Sequence, residues 1–120
     1  MLFRSMKNLV IKNKKIGDGY PIFIIAEIGG NFSTFVEGKK LINAAIRSGA
    51  NAVKIQTFEA EKLVSKFATF NMPNVGGKKK QLSIIRNLEL DRKIQSKLFD
   101  YCKKKGITFF STPKIGRAHV

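Results

Sequence analysis

The sequence predicts an α/β fold with a parallel sheet, either doubly wound or a (β/α)8 barrel. Three observations carry that prediction. Apolar, β-rich segments recur at residues 22–28 (IFIIAEI), 52–56 (AVKIQ) and 107–111 (ITFFS). A segment with helical periodicity precedes the second and the third of them. The first and last segments are near-continuous apolar runs, the pattern of strands covered on both faces.

Ahead of these units, Leu9, Val10, Ile11 and Ile16 frame the polar run 12–15, which reads as a short hairpin. Residues 17–21 (GDGYP) then form a turn into the first strand. Between the first two strands a helix of about 12 residues is predicted, an ordinary helix length. Its small-residue stripe is Leu41, Ala44, Ala45 and Ser48, at i, i+3, i+4 and i+7, and Gly49 supplies the stop. Residues 59–80 make a long excursion containing Pro73, Gly76, Gly77 and a lysine triplet, followed by a short helical turn at 83–88. Connections of that length are uncommon unless they serve a site or hold short elements. The second helix is predicted over residues 92–105. Asp91 is its N-cap, Ile94, Leu98, Tyr101 and Cys102 form its apolar stripe, and Gly106 takes the left-handed position after it. The lysines at 103–105 suit the negative end of that helix dipole.

Composition bounds the function. The 120 residues carry 23 Lys+Arg against 8 Asp+Glu, a formal charge of +15. No apolar run approaches the roughly 20 residues that cross a bilayer, and the N-terminus lacks the apolar core of a secretory signal. The lone cysteine, Cys102, fits a reducing compartment, so a cytoplasmic protein is expected. A basic nucleic-acid-binding module is the rival reading of the charge. Against it, 18 of the 23 basic residues are lysines spread along the chain, and neither triplet (78–80, 103–105) contains an aromatic. Diffuse lysines describe a solvated surface, so no nucleic-acid partner and no membrane partner is expected.

The ends of the strands carry the chemistry, because parallel α/β folds bind ligands there. The first strand delivers Glu27 and then Gly29-Gly30-Asn31. On the second, Lys54 and Gln56 are two apart and share a face, with Val53 and Ile55 on the other. The third ends Ser111-Thr112-Pro113. A lysine on a mostly buried strand needs an anionic partner. Pairing with Glu27 and binding a ligand answer that need equally well. The glycines form neither a dinucleotide fingerprint nor a P-loop. Cys102 lies on an apolar helical stripe and reads as core, and His119, the single histidine, has no partner at ligand spacing.

Three runs in register, IIAEIGGN (24–31), LINAAIRSGANAVKIQTFEAEKLVS (41–65) and LFDYCKKKGITFFSTP (98–113), resemble the N-terminal part of the sialic acid synthase family. The likeness covers roughly residues 8 to 113. It implies the N-terminal fragment of a (β/α)8 TIM barrel, about three βα units preceded by a short hairpin, in a family whose barrel is often followed by an antifreeze-like domain. It implies condensation of phosphoenolpyruvate with an N-acetylated amino-sugar aldehyde to a nonulosonic acid, in a homodimeric parent that uses Mn²⁺ or Mg²⁺. Residue by residue, Glu27 matches a glutamate near the reacting aldehyde and Lys54 a lysine that binds phosphoenolpyruvate. Gln56 matches a sugar-contacting glutamine, Thr112 a hydroxyl that bonds phosphoenolpyruvate, and Asn31 a further substrate-binding position. The family's metal-binding histidines lie on later strands, so no metal ligand is expected here. A barrel relative that binds a sugar phosphate without catalysis is a third reading.

Departures bear on the sugar side. Phe32 stands where many members have His, and Leu82-Ser83 where many have Tyr-Glu. A complete barrel needs about 250 residues. The expected organisation is therefore a hairpin and turn (1–19), a partial barrel (20–113) and a tail (114–120). That tail's IGRAHV matches one reading frame of a sequencing-adapter oligonucleotide and is expected to be non-native.

Overall fold

The structure, a computed structural model, describes residues 7–72 and 77–114. It opens with an antiparallel hairpin of β1 (Leu9–Ile11) and β2 (Lys14–Ile16), as predicted. The turn places Lys12 at φ +51°, and the Tyr20 amide closes the following turn on the Gly17 carbonyl.

The body is a three-stranded parallel sheet in the order β3 (Ile25–Glu27), β4 (Ala52–Thr57), β7 (Thr108–Pro113). Helices α1 (Phe35–Arg47) and α4 (Arg92–Lys105) make the two crossovers, the second after the excursion. All three predicted strands are present with shifted ends. The first is shorter than its apolar run. Its pairing begins where the Asn51 and Ala52 amides reach the Ile24 carbonyl, so residues 22 and 23 have no ladder partner. The third runs on to Pro113 because β4 continues to Thr57 alongside it.

Register separates the two faces of the sheet. Ala26, Val53, Ile55 and Phe109 point at α1 and α4 and join the core of Ile42, Ala45, Leu98, Cys102 and Ile107. The expectation that the outer strands are covered on both faces fails. Ile25 is 45% exposed and Phe110 36%, and Ile22 and Ile24 are also exposed. Among the described residues both long helices lie on one side of the sheet, which leaves the other open.

Helix α4 matches its prediction residue for residue. The Asp91 carboxylate accepts the Lys93 amide at 2.7 Å, Leu98 and Cys102 are buried, and Gly106 adopts φ +78°. The Ile107 amide closes the helix end on the Cys102 carbonyl. Burial pushes the Cys102 thiol up to about 11, which agrees with its reading as core.

Helix α1 forms where expected, but its buried stripe is Gly38, Ile42 and Ala45 rather than Leu41, Ala44, Ala45 and Ser48. Ser48 serves the helix end instead, its hydroxyl donating to the Ala44 carbonyl. Gly38 belongs to the stripe because a Cβ there would lie 2.8 Å from both Leu98 and Phe32. That missing methyl lets α1 and α4 approach. At the other end, the Thr34 hydroxyl accepts the Glu37 amide, and the Glu37 carboxylate accepts the Ser33 amide. The Ser33 bond leads in holding the Glu37 carboxyl below its usual range.

The excursion is structured rather than a bare loop. It holds α2 (Ala60–Leu63), an antiparallel hairpin of β5 (Thr69–Met72) and β6 (Gly77–Lys80), and α3 (Gln81–Leu88). The predicted turn at 83–88 is the greater part of α3. Pro73 and Gly76 lie outside the described residues, as do His119 and the adapter-like run 115–120. No described helix is long and apolar enough to cross a membrane.

Candidate active site

Parallel pairing places the strand-end residues together. Glu27 is the register partner of Lys54, and Gln56 that of Thr112. By the two-residue period of a strand, Glu27, Lys54, Gln56, Phe110 and Thr112 share one face. It is the open face, opposite the helices. The sequence thus supplies a sheet whose one side is core and whose other side carries ionisable groups at the carboxyl ends of its strands.

Lys54 Nζ lies 3.0 Å from Glu27 Oε2, so the pairing reading is correct as geometry. The pair is not sealed, however. The Lys54 and Glu27 side chains are 30% and 38% exposed, which leaves both within reach of a ligand. The other Glu27 oxygen, Oε1, accepts the Gly29 amide at 2.9 Å. A compact acid thus has its two oxygens divided between a cation and a backbone donor, beside an amide side chain and a hydroxyl. Such a face can take an anion on the lysine and orient a hydroxylated or carbonyl-bearing partner against the carboxylate.

Asn31 sits in the turn after β3 rather than on this face. Its side-chain nitrogen donates to the carbonyls of Gly29 at 3.1 Å and Ile28 at 3.4 Å. Phe32, at the position where His was noted as common, is buried against α1 at the Gly38 gap. Beneath the site, the Ser111 hydroxyl donates to Thr57 Oγ1 at 3.0 Å and ties β7 to β4.

Sequence reading missed a cleft of about 700 Å³ beside α2 and the start of α4, lined by Glu59, Glu61, Arg86, Glu89, Asp91 and Arg92. Arg86 binds Glu61 at 2.7 Å, Lys62 binds Glu59 at 2.8 Å, and Glu89 accepts the Ala60 amide. The signal was available. Half of the chain's 8 acids flank the excursion, at 59, 61, 89 and 91. The Arg86–Glu61 and Ala60–Glu89 contacts pin the two ends of the excursion to each other. Among the described residues no group of three or more His, Cys, Asp or Glu gathers to hold a metal ion. The described residues therefore do not by themselves hold the metal that the resemblance implies.

The NeuB family model matches residues 41–117. The spore coat polysaccharide biosynthesis protein SpsE of Bacillus subtilis is 35% identical over 103 residues, 85% of this chain and 28% of that protein. The N,N'-diacetyllegionaminic acid synthase of Campylobacter jejuni is 39% identical over 94 residues, 75% of this chain and 28% of the synthase. Among solved structures, the N-acetylneuraminic acid synthetase of Leptospira borgpetersenii, in complex with citrate, superposes with a TM-score of 0.76. It is 27% identical, with 92% of this chain and 36% of that one covered. The chain thus spans little more than a quarter of the length of the curated relatives it matches.

Proposed function

This chain belongs to the NeuB family, and on that premise we propose that it forms the first part of the catalytic barrel of a nonulosonic acid synthase. The reaction is condensation of phosphoenolpyruvate with an N-acetylated amino-sugar aldehyde. The observation that carries this reading is the partly exposed Glu27–Lys54 pair on the open sheet face, with Gln56 and Thr112 in register beside it.

Each residue has a task in that chemistry. Phosphoenolpyruvate is a compact polyanion, and the Lys54 ammonium meets its carboxylate or phosphate and stabilises charge that develops as bonds change. The Thr112 hydroxyl donates to the same substrate. Gln56 hydrogen-bonds the sugar, and Glu27 orients the aldehyde end and assists proton transfer. C3 of phosphoenolpyruvate bonds to the aldehyde carbon, water adds at C2, and phosphate leaves with cleavage of its C–O bond. A divalent metal would polarise the aldehyde. Its ligands belong to the rest of the barrel, as do the strands that would cover the open face and exclude water. Assembly as a homodimer is part of the same proposal.

The test is phosphate release by the complete synthase carrying this segment. Phosphate should appear only when phosphoenolpyruvate is combined with an amino-sugar aldehyde such as N-acetylmannosamine or a 2,4-diacetamido sugar. Absence of release with every such aldehyde, in metal-supplemented enzyme, would reject the proposal.

A further inference from the structure

We infer that Gly29 and Asn31 are positioning residues for Glu27: the Gly29 amide fixes the orientation of the carboxylate, and Asn31 holds the turn that presents this amide. The inference rests on the role proposed above for Glu27. A carboxylate at the end of a flexible side chain, paired with an equally flexible lysine, is not oriented by that pair alone, since both chains retain rotamer freedom. The second anchor makes the difference. Glu27 Oε1 accepts the Gly29 N–H at 2.9 Å, a donor that belongs to the backbone and cannot swing with a side chain.

That donor is itself held from three directions. The Ile28 amide donates to the Lys54 carbonyl at 2.9 Å, which extends the β3–β4 ladder one residue past Glu27. Gly30 takes φ +77°, a backbone region in which a side chain is strained. The Asn31 side-chain nitrogen donates to the Gly29 and Ile28 carbonyls, so its hydrogens are directed into its own turn. The approach at Gly29 is also too close for any other residue. A Cβ there would lie 2.8 Å from Glu27 Oε1, 2.8 Å from the Gln56 backbone nitrogen and 3.2 Å from the Ile55 carbonyl carbon. The carboxylate could swing away, but the β4 backbone cannot. An alanine would therefore displace Glu27 and press on the strand at Gln56, two of the four polar residues of the face.

The experiment measures kcat and KM for both substrates in the complete synthase, for Gly29→Ala, Asn31→Ser and Glu27→Gln and for the two doubles with Glu27→Gln. Misplacement of a reacting group by about 1 Å costs on the order of a hundredfold, so Gly29→Ala should lower kcat by about tenfold to a hundredfold. Loss of the Asn31 bonds should lower kcat by about fivefold. Phosphoenolpyruvate KM should change little in both, since Lys54 is intact. In the Glu27→Gln background Asn31→Ser should lower kcat no further, because it acts through the carboxylate, and Gly29→Ala should retain only the part of its effect that it exerts at Gln56. Wild-type kcat in both Gly29→Ala and Asn31→Ser, or an Asn31→Ser loss that multiplies with that of Glu27→Gln, overturns the inference while leaving the proposed function standing. A raised sugar KM with unchanged kcat in Asn31→Ser overturns it too, by giving Asn31 a direct substrate contact. Wild-type kcat in Glu27→Gln alone instead removes the proposed role of Glu27, and the inference with it. Should Gly29→Ala fail to fold, Asn31→Ser decides, because that side chain is exposed.

Discussion

Replacing Glu27 by Gln should raise the affinity for phosphoenolpyruvate while lowering kcat. On the roles proposed above, the Glu27 carboxylate, 3.0 Å from Lys54 and like it about one-third exposed, competes with substrate for the ammonium. Pairs that solvent reaches this freely contribute about 0.2–1 kcal/mol, well below the unscreened Coulomb value. Glutamine keeps the shape and can still accept the Gly29 amide, but it no longer neutralises the ammonium. Phosphoenolpyruvate should therefore bind up to about fivefold more tightly, 1 kcal/mol being about a factor of five. The lost proton transfer should lower kcat by about 10² to 10⁴. Titration of the complete synthase with phosphoenolpyruvate by calorimetry gives the first quantity, and steady-state phosphate release gives the second. Weaker phosphoenolpyruvate binding in the variant would mean that Glu27 supports rather than competes for Lys54's anion. Unchanged kcat would remove Glu27 from the chemistry.

Other consequences concern the fold. Leu98 of α4 is fully buried and faces Gly38 of α1, so Leu98→Ala should destabilise by about 2–5 kcal/mol, read by denaturant unfolding. The Cys102 thiol is buried and pushed up to about 11, so it should resist thiol reagents at pH 8 until the protein unfolds. Because that ionisation lies higher in the folded state than in the unfolded chain, its stabilising effect is full below about pH 8.5 and is lost as pH rises towards 11. Unfolding midpoints measured at pH 8 and pH 10 should fall accordingly, and a Cys102→Ala variant should lose that component. The 120-residue chain by itself, with Ile25 and Phe110 exposed on an open parallel sheet, should melt without a sharp cooperative transition. A sharp calorimetric peak would show that something covers this face.

Legibility in the sequence followed how local each determinant is. Helix α4 was fully readable because its cap, stripe and stop are all short-range signals, from Asp91 to Gly106. Helix α1 was located correctly, but its face was rotated. Apolar pattern alone cannot show that Gly38 is buried for a close approach to Leu98, or that Ser48 is diverted to the helix end. The hairpin of β5 and β6 was hidden because Gly-Lys-Lys-Lys has none of the β-branched or aromatic residues that mark strands. For the site, strand-end polarity and the two-residue period were enough to place Glu27, Lys54, Gln56 and Thr112 on shared positions. The Gly29 amide on the Glu27 carboxylate was not readable, since it depends on a turn geometry that two adjacent glycines permit but do not specify.

The most direct test of the whole account is Lys54→Ala in the complete synthase, assayed for phosphate release with phosphoenolpyruvate and the accepted sugar. The account predicts that release falls to background while the variant's unfolding midpoint stays near that of the parent, since the lysine lies on the open side of β4 and is partly exposed. Full activity in that variant would contradict it.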